Sequence, residues 1–321
     1  MTRLLTLLRL PKTALTALLL TIALTLAATL AVSYIRTGPP LIVMQLRSEI
    51  LVQRVARPEL SSIAVTNARL AGGEACNLAS GGLFSGVMQP PEGAILTYQW
   101  APTQLRIQVD APPSDDGKAA IRLSDRAEGE CSVDGRLQML VALVPGDSSA
   151  PAWQLPIAGP AQAGSEFGSP LAPAADGERV YDLLRGGTVS VFGKSVDGGM
   201  LFPIADSSFE IPAGSRIASS DVLPPGTGEA GPSWYGVATY GPDGFDISAT
   251  AESKELRLFR PGAGRQSETF GIGLLAGILG DPGTVLLAFA LAAFFAIGGL
   301  VVGWMSLWRD PPPGKSPDIT P

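Results

Sequence analysis

The chain reads as a membrane protein with two transmembrane helices flanking a mainly-β extracytoplasmic region of two small antiparallel β sandwich- or barrel-like modules. Three observations predict this. The mean hydropathy of +0.26 over 321 residues, 46% of them apolar, is high for a water-soluble globule. A charge-free run lies near each end, and the region between them carries alternating apolar and polar residues punctuated by turn signals.

Residues 1–12, with Arg3, Arg9, Lys12 and no acid, form a basic tail, and residues 13–35 contain no charge. At about 1.5 Å per residue this run is long enough for the ~30 Å hydrocarbon core. A cleaved signal peptide is the rival reading, because Thr29-Leu30-Ala31 is an acceptable small-residue site. The run exceeds the ~7 to 15 apolar residues of such signals, so a retained anchor is expected.

The second span is expected over residues 282–308, with Asp281 as cap, Pro282 at the first helical position, and no charge from Thr284 to Trp308. Trp304 and Trp308 beside Arg309 suit one membrane interface, with Tyr34 and Phe270 near the other. Phe270–Gly280, eleven apolar residues, is too short to cross, and residues 263–281 read as an interfacial segment. Residues 309–321 form a second tail. Long loops translocate largely regardless of charge, so both tails are expected in the cytoplasm of a cell whose plasma (inner) membrane holds the protein, with the centre periplasmic or otherwise outside.

Small residues line both spans. Ala288, Ala292, Ala296, Gly299 and Gly303 share one helical face, as do Ala14, Ala17, Thr21, Thr25 and Ala28. Such faces admit close helix packing, although Ala- and Thr-rich spans produce them by composition as well.

Between the spans, Thr37 to Glu268 holds 17 Lys+Arg against 26 Asp+Glu, a net of −9. An acidic surface repels phosphate backbones, which argues against nucleic acid as a partner. Residues 145–177, with six prolines and no Lys or Arg, read as a linker in which Trp153 can dock on a neighbour. It would divide the region into module 1 (36–144) and module 2 (178–262). Alternation in Gln104–Asp110, Thr188–Phe192, Trp234–Tyr240 and Phe245–Thr250 predicts strands. Asp116-Gly117, Asp134-Gly135, Asp176-Gly177, Asp197-Gly198 and Asp243-Gly244 predict turns, the last a hairpin. Leu41, Met44, Leu51 and Val52 suggest a short helix over Pro40–Arg54.

Histidine is absent and cysteines number two, which removes His-based catalysis and the usual zinc and iron–sulfur sites. Cys76 and Cys131 are expected to form a disulfide in an oxidising compartment, closing a loop of about 55 residues. Gly187–Ser195 superficially resembles a phosphate loop, but its glycine spacing is one residue too long and its interior alternates like a strand. None of the Asp-Gly pairs has calcium-loop spacing, so no metal or cofactor is implied. Glu74, two residues before Cys76, and Glu130, directly before Cys131, are the one carboxylate pair that suggests an enzyme, a glycan hydrolase. Lys118, Lys194 and Lys254 are in hairpin or charged contexts and make poor bases. Tyr98, Trp100, Trp234 and Tyr235 fit either a hydrophobic core or a stacking platform, with core the more general use. The sequence thus points to a non-catalytic binding, scaffold or accessory protein of a membrane assembly. Its partner would be another protein or a second copy of itself, and two spans without an embedded charge offer no solute pathway.

Overall fold

The computed structural model describes residues 39–71, 83–113, 120–125, 129–142, 153–165, 183–194, 201–219, 233–253, 256–261, 266–270 and 281–309. The chain divides into two compact units. One, Pro39–Gly193 with Pro203–Gly273, is built of antiparallel sheet; the other includes a single described helix.

Sheet A has six strands in the order β10-β15-β16-β1-β12-β13. These are β10 (Gln154–Gly159), β15 (Trp234–Gly241), β16 (Gly244–Glu252), β1 (Leu41–Ser48), β12 (Leu184–Lys194) and β13 (Leu201–Ile211). Sheet B has twelve, in the order β18-β17-β14-β11-β2-β5-β6-β9-β3-β4-β7-β8. One flank comprises β18 (Glu268–Phe270), β17 (Leu256–Phe259), β14 (Arg216–Ala218), β11 (Ala161–Ala163) and β2 (Ile50–Arg54). The other comprises β5 (Ile95–Ala101), β6 (Gln104–Asp110), β9 (Arg136–Ala142), β3 (Ile63–Ala71), β4 (Leu83–Gln89), β7 (Ile121–Asp125) and β8 (Gly129–Val133).

The alternating runs are strands, and β6 occupies the whole of Gln104–Asp110 with Leu105, Ile107 and Val109 buried on one face. Asp243-Gly244 closes the expected hairpin, with Gly241 and Gly244 paired across the two-residue loop Pro242-Asp243. The chain bends at Asp134-Gly135, with Gly135 at φ +76°, yet β8 and β9 are not neighbours; the Gly135 carbonyl instead accepts the Ala111 amide. The other three Asp-Gly pairs lie outside the described residues.

Four expectations are corrected. Pro40–Arg54 is not helical: Ile42, Met44, Leu46 and Ser48 are buried at every second position, the period of a strand. Residues 145–177 are not only a linker, because β10 and β11 lie within them. Leu155, Ile157, Ala161 and Ala163 there are buried, and Pro156 is tolerated because β10 is an edge strand. Consequently modules 1 and 2 are not separate, since β1 from the first is hydrogen-bonded between β12 and β16 from the second. Phe270, expected at a membrane interface, is a buried strand residue on β18, paired with Leu256; residues 271–280 lie outside the described set.

Four chain segments begin in sheet A and continue in sheet B: β1 into β2, β10 into β11, β13 into β14 and β16 into β17. A single residue, Glu49, separates β1 from β2, and Pro160 alone separates β10 from β11. Such turned corners are how packed sheets share strands. They leave backbone groups to be satisfied inside, and buried side chains do this. The Ser48 hydroxyl donates to the Ile50 carbonyl at 2.6 Å and accepts the Gly164 amide at 3.0 Å. Gln53, fully buried on β2, donates to the Pro156 carbonyl (3.0 Å) and the Tyr98 hydroxyl (3.1 Å) and accepts the Ala158 amide (3.2 Å).

Helix α1 spans Pro282–Arg309, 28 residues, beginning where the cap signal predicts; the Asp281 carbonyl accepts the Val285 amide. Side chains are described for part of α1, and among the described residues no helix is long and apolar enough to cross a membrane. The expected first span, 13–35, lies outside the described residues.

Burial pushes the Tyr98 phenol far above its ordinary value of 10.0. Below about pH 10 the folded and unfolded chains hold this proton equally. Above it the unfolded chain releases the proton and the folded chain does not, so stability falls as pH rises. Urea unfolding between about pH 9 and about pH 11 should show this loss, and Tyr98→Phe should make it shallower. An unchanged slope in Tyr98→Phe would assign the loss to other groups.

Candidate functional site

The candidate site is a groove of about 600 Å³ on the face of sheet A turned away from its buried side chains. It is lined by β1 (Gln45, Leu46, Arg47), β12 (Arg185, Gly186, Gly187), β15 (Val237, Thr239) and β16 (Asp246, Ile247, Ser248). The registers place three rows across these strands. Thr239, Asp246, Arg47 and Gly186 form one; Val237, Ser248, Gln45 and Thr188 the next; Tyr235, Thr250, Val43 and Ser190 the third. Alternation makes this inevitable, since Ile42, Met44 and Leu46 of β1 and Ile247 and Ala249 of β16 take the buried face.

A bulge shapes the charged end. Arg47 pairs with Gly186 whereas Ser48 pairs with Leu184, so Arg185 is the extra residue of β12. Gly186 and Gly187 follow at φ +141° and +156°, conformations that essentially only glycine adopts. A Cβ on Gly187 would lie 2.4 Å from the Gln45 carbonyl oxygen. The floor beside the bulge therefore carries no side chain.

Both guanidinium groups are held by carboxylates. Arg47 Nε donates to Asp246 Oδ1 at 2.9 Å, and the Asp246 hydrogen bond and charge raise the Arg47 pKa. Arg185 binds Glu49 Oε1 through Nη2 at 2.8 Å and lies 5.6 Å from the Trp100 ring centroid, within cation–π range. Glu49 is the corner residue between β1 and β2, and its Oε2 also accepts the Leu183 amide at 3.1 Å. Trp100 donates through Nε1 to the Gly241 carbonyl (2.9 Å) and stacks with Tyr240 at a centroid distance of 6.4 Å. The Tyr240 hydroxyl donates to the Ala101 carbonyl, and burial raises its pKa. Trp153 joins here through its backbone, its carbonyl accepting the Tyr240 amide.

Chemically the lining offers hydrogen-bond donors and acceptors with two guanidinium groups and one carboxylate, Asp246, while Glu49, at the corner beside the lining, offsets the second guanidinium. Among the described residues no group of His, Cys, Asp or Glu is arranged to hold a metal ion.

The residues singled out from sequence fall elsewhere or divide. Tyr98 and Trp234 are core residues, Trp100 is half-buried at the corner, and Tyr235 is 47% exposed on the groove's face, one row beyond the lining. Glu130 is exposed on the edge strand β8, and Glu74 lies outside the described residues, so no carboxylate pair is brought together among those described. Cys131, also on β8, is not a free thiol; Cys76 lies outside the described residues. Gly187–Lys194 lies in strand β12, which provides no phosphate loop. Ala288, Ala292, Ala296 and Gly299 are exposed on α1, and Gly303 lies in the same helix; a Cβ on Gly299 would meet nothing within 4 Å. Lys194 ends β12, and Lys118 and Lys254 are not among the described residues.

Sequence reasoning missed Arg47, Arg185, Glu49 and Asp246. The available signal was Arg185-Gly186-Gly187 at the start of an alternating run, because glycines inside a strand mark bulges or close approach. The chain matches no family model, no curated protein and no solved structure.

Glu49→Ala should remove the Arg185 partner and the Leu183 acceptor together. The expected cost is about 1–2 kcal/mol, since one charge-assisted and one backbone hydrogen bond are lost at a partly exposed site. Urea unfolding followed by Trp fluorescence checks this, and a stability equal to wild type would show that the corner does not depend on Glu49.

Proposed function

We propose that this is a membrane-anchored, non-catalytic binding or scaffold protein of the cell envelope, whose β body lies outside the cytoplasm and presents the sheet A groove to a partner. One observation carries the anchoring. On α1 the large apolar side chains Leu286 (70%), Phe289 (69%), Ile297 (62%), Leu300 (74%) and Trp304 (63%) stand exposed along one sector of the helix. Aligned apolar exposure on this scale is what lipid, not water, accommodates. The sequence of this helix is charge-free from Thr284 to Trp308. Its Ala288–Gly303 face suits close packing with a second transmembrane helix, from this chain's residues 13–35 or from a partner.

The compartment follows from the same reading. The basic tail 1–12 and the tail 309–321 lie in the cytoplasm, and the acidic body between them outside, where Cys131 would pair with Cys76. The absence of a free thiol at Cys131 supports that bond.

After alkaline carbonate extraction the full chain should remain with the membrane. A reporter that functions only in the cytoplasm should be active when fused after Pro321. Denatured, unreduced protein should take up no thiol reagent and take up two equivalents after reduction. Release by carbonate would remove the anchor, and an inactive C-terminal cytoplasmic reporter would invert the topology.

A further inference from the structure

We infer that the sheet A groove is a binding site for an uncharged, polyhydroxylated polymer, that is, a neutral glycan chain laid across the strands. The inference rests on the reading above that the β body faces the outside, where such polymers surround a cell.

The position of the groove limits how it can recognise anything. β15, β16, β1 and β12 are each flanked by two strands of sheet A, so their backbone donors and acceptors are already paired. A peptide cannot be added here as a further strand, and recognition falls to side chains. Strands about 4.8 Å apart make a row of four about 14 Å wide, an extended track rather than a closed cavity.

Charge narrows the class. Arg47 is held by Asp246 and Arg185 by Glu49, so each guanidinium charge is offset by a carboxylate and neither presents an uncompensated cation to an anionic ligand. The groups left over are of both kinds. Ser248, Thr188 and Thr239 each donate and accept, Gln45 offers an amide, and the Arg47–Asp246 pair keeps unused N–H groups beside a carboxylate. Gln45, Thr188 and Ser248 are exposed. Dense, mixed and neutral hydrogen bonding is the complement of sugar hydroxyls.

Two further features fit a chain of rings. Gly186 and Gly187 give a floor without side chains, which allows close approach of a ligand to the backbone. Tyr235, exposed on the same face one row beyond the lining and separated from Val43 by Thr250, supplies an apolar surface for the C–H face of a sugar ring that extends past the groove.

Titration calorimetry on the full-length protein in lipid nanodiscs tests this. The probes are a tetramer of N-acetylglucosamine, a tetramer of glucose and a tetramer of galacturonate as the anionic counterpart. At least one neutral tetramer should bind with a Kd between about 10 μM and about 1 mM. Ser248→Trp, at an exposed outward position, should weaken it by about tenfold or more with an unchanged thermal midpoint. Gln45→Ala should weaken it less, and Arg136→Gln on sheet B not at all. The inference is overturned if neither neutral tetramer binds, if Ser248→Trp binds as wild type does, or if galacturonate binds more tightly than both. Carbonate extraction and the C-terminal reporter on the same expressed protein separate the two failures. Loss of glycan binding with anchoring and topology intact removes the ligand class alone.

Discussion

The fold turns on one buried amide. Gln53 makes three hydrogen bonds from a fully buried position, to the Pro156 carbonyl, the Ala158 amide and the Tyr98 hydroxyl. It thereby fastens β2 and β5 of sheet B to β10 of sheet A at the place where two chain segments change sheets. A buried amide without those partners would cost about 1–3 kcal/mol for each group left unsatisfied. These three bonds tie the two sheets together at the crossing. Ser48 does the same work for the neighbouring corner with its single hydroxyl.

The groove is a consequence of that crossing. Once β1 must leave sheet A at Ser48, the adjoining strand β12 accommodates the departure with a bulge at Arg185. Glu49, turned at the corner, is then in position to hold it. The glycines after the bulge keep the floor clear, and Arg47 is neutralised by Asp246 from the opposite neighbour. A balanced polar face results from folding constraints and is available for binding at no further structural cost. On the proposed reading, the exposed apolar sector of α1 would tether the chain to a membrane.

Much of the local structure was legible in the sequence, and the long-range structure was not. The alternation of Gln104–Asp110, the Asp243-Gly244 hairpin and the helix start at Pro282 are local patterns whose physics is complete within a few residues. Pro40–Arg54 misled because Leu41, Met44, Leu51 and Val52 satisfy a helical stripe. The decisive period-2 set also includes Ser48, a polar residue buried for its hydrogen bonds. Residues 145–177 misled because proline reads as a breaker, although an edge strand tolerates it. The site was least legible: Arg47 and Asp246 are 199 residues apart, and Glu49 and Arg185 are 136 apart, so their pairing exists only once the strands are ordered.

The claim at the centre of this account is that the groove faces the outside of a membrane to which the chain is tethered. Ser248→Cys places a reactive thiol in the groove at an exposed position. Labelling it with a membrane-impermeant maleimide in right-side-out and inverted membrane vesicles tests the claim most directly. Labelling is expected in right-side-out vesicles, and protection in inverted ones until detergent is added. Labelling only in inverted vesicles would contradict the claim.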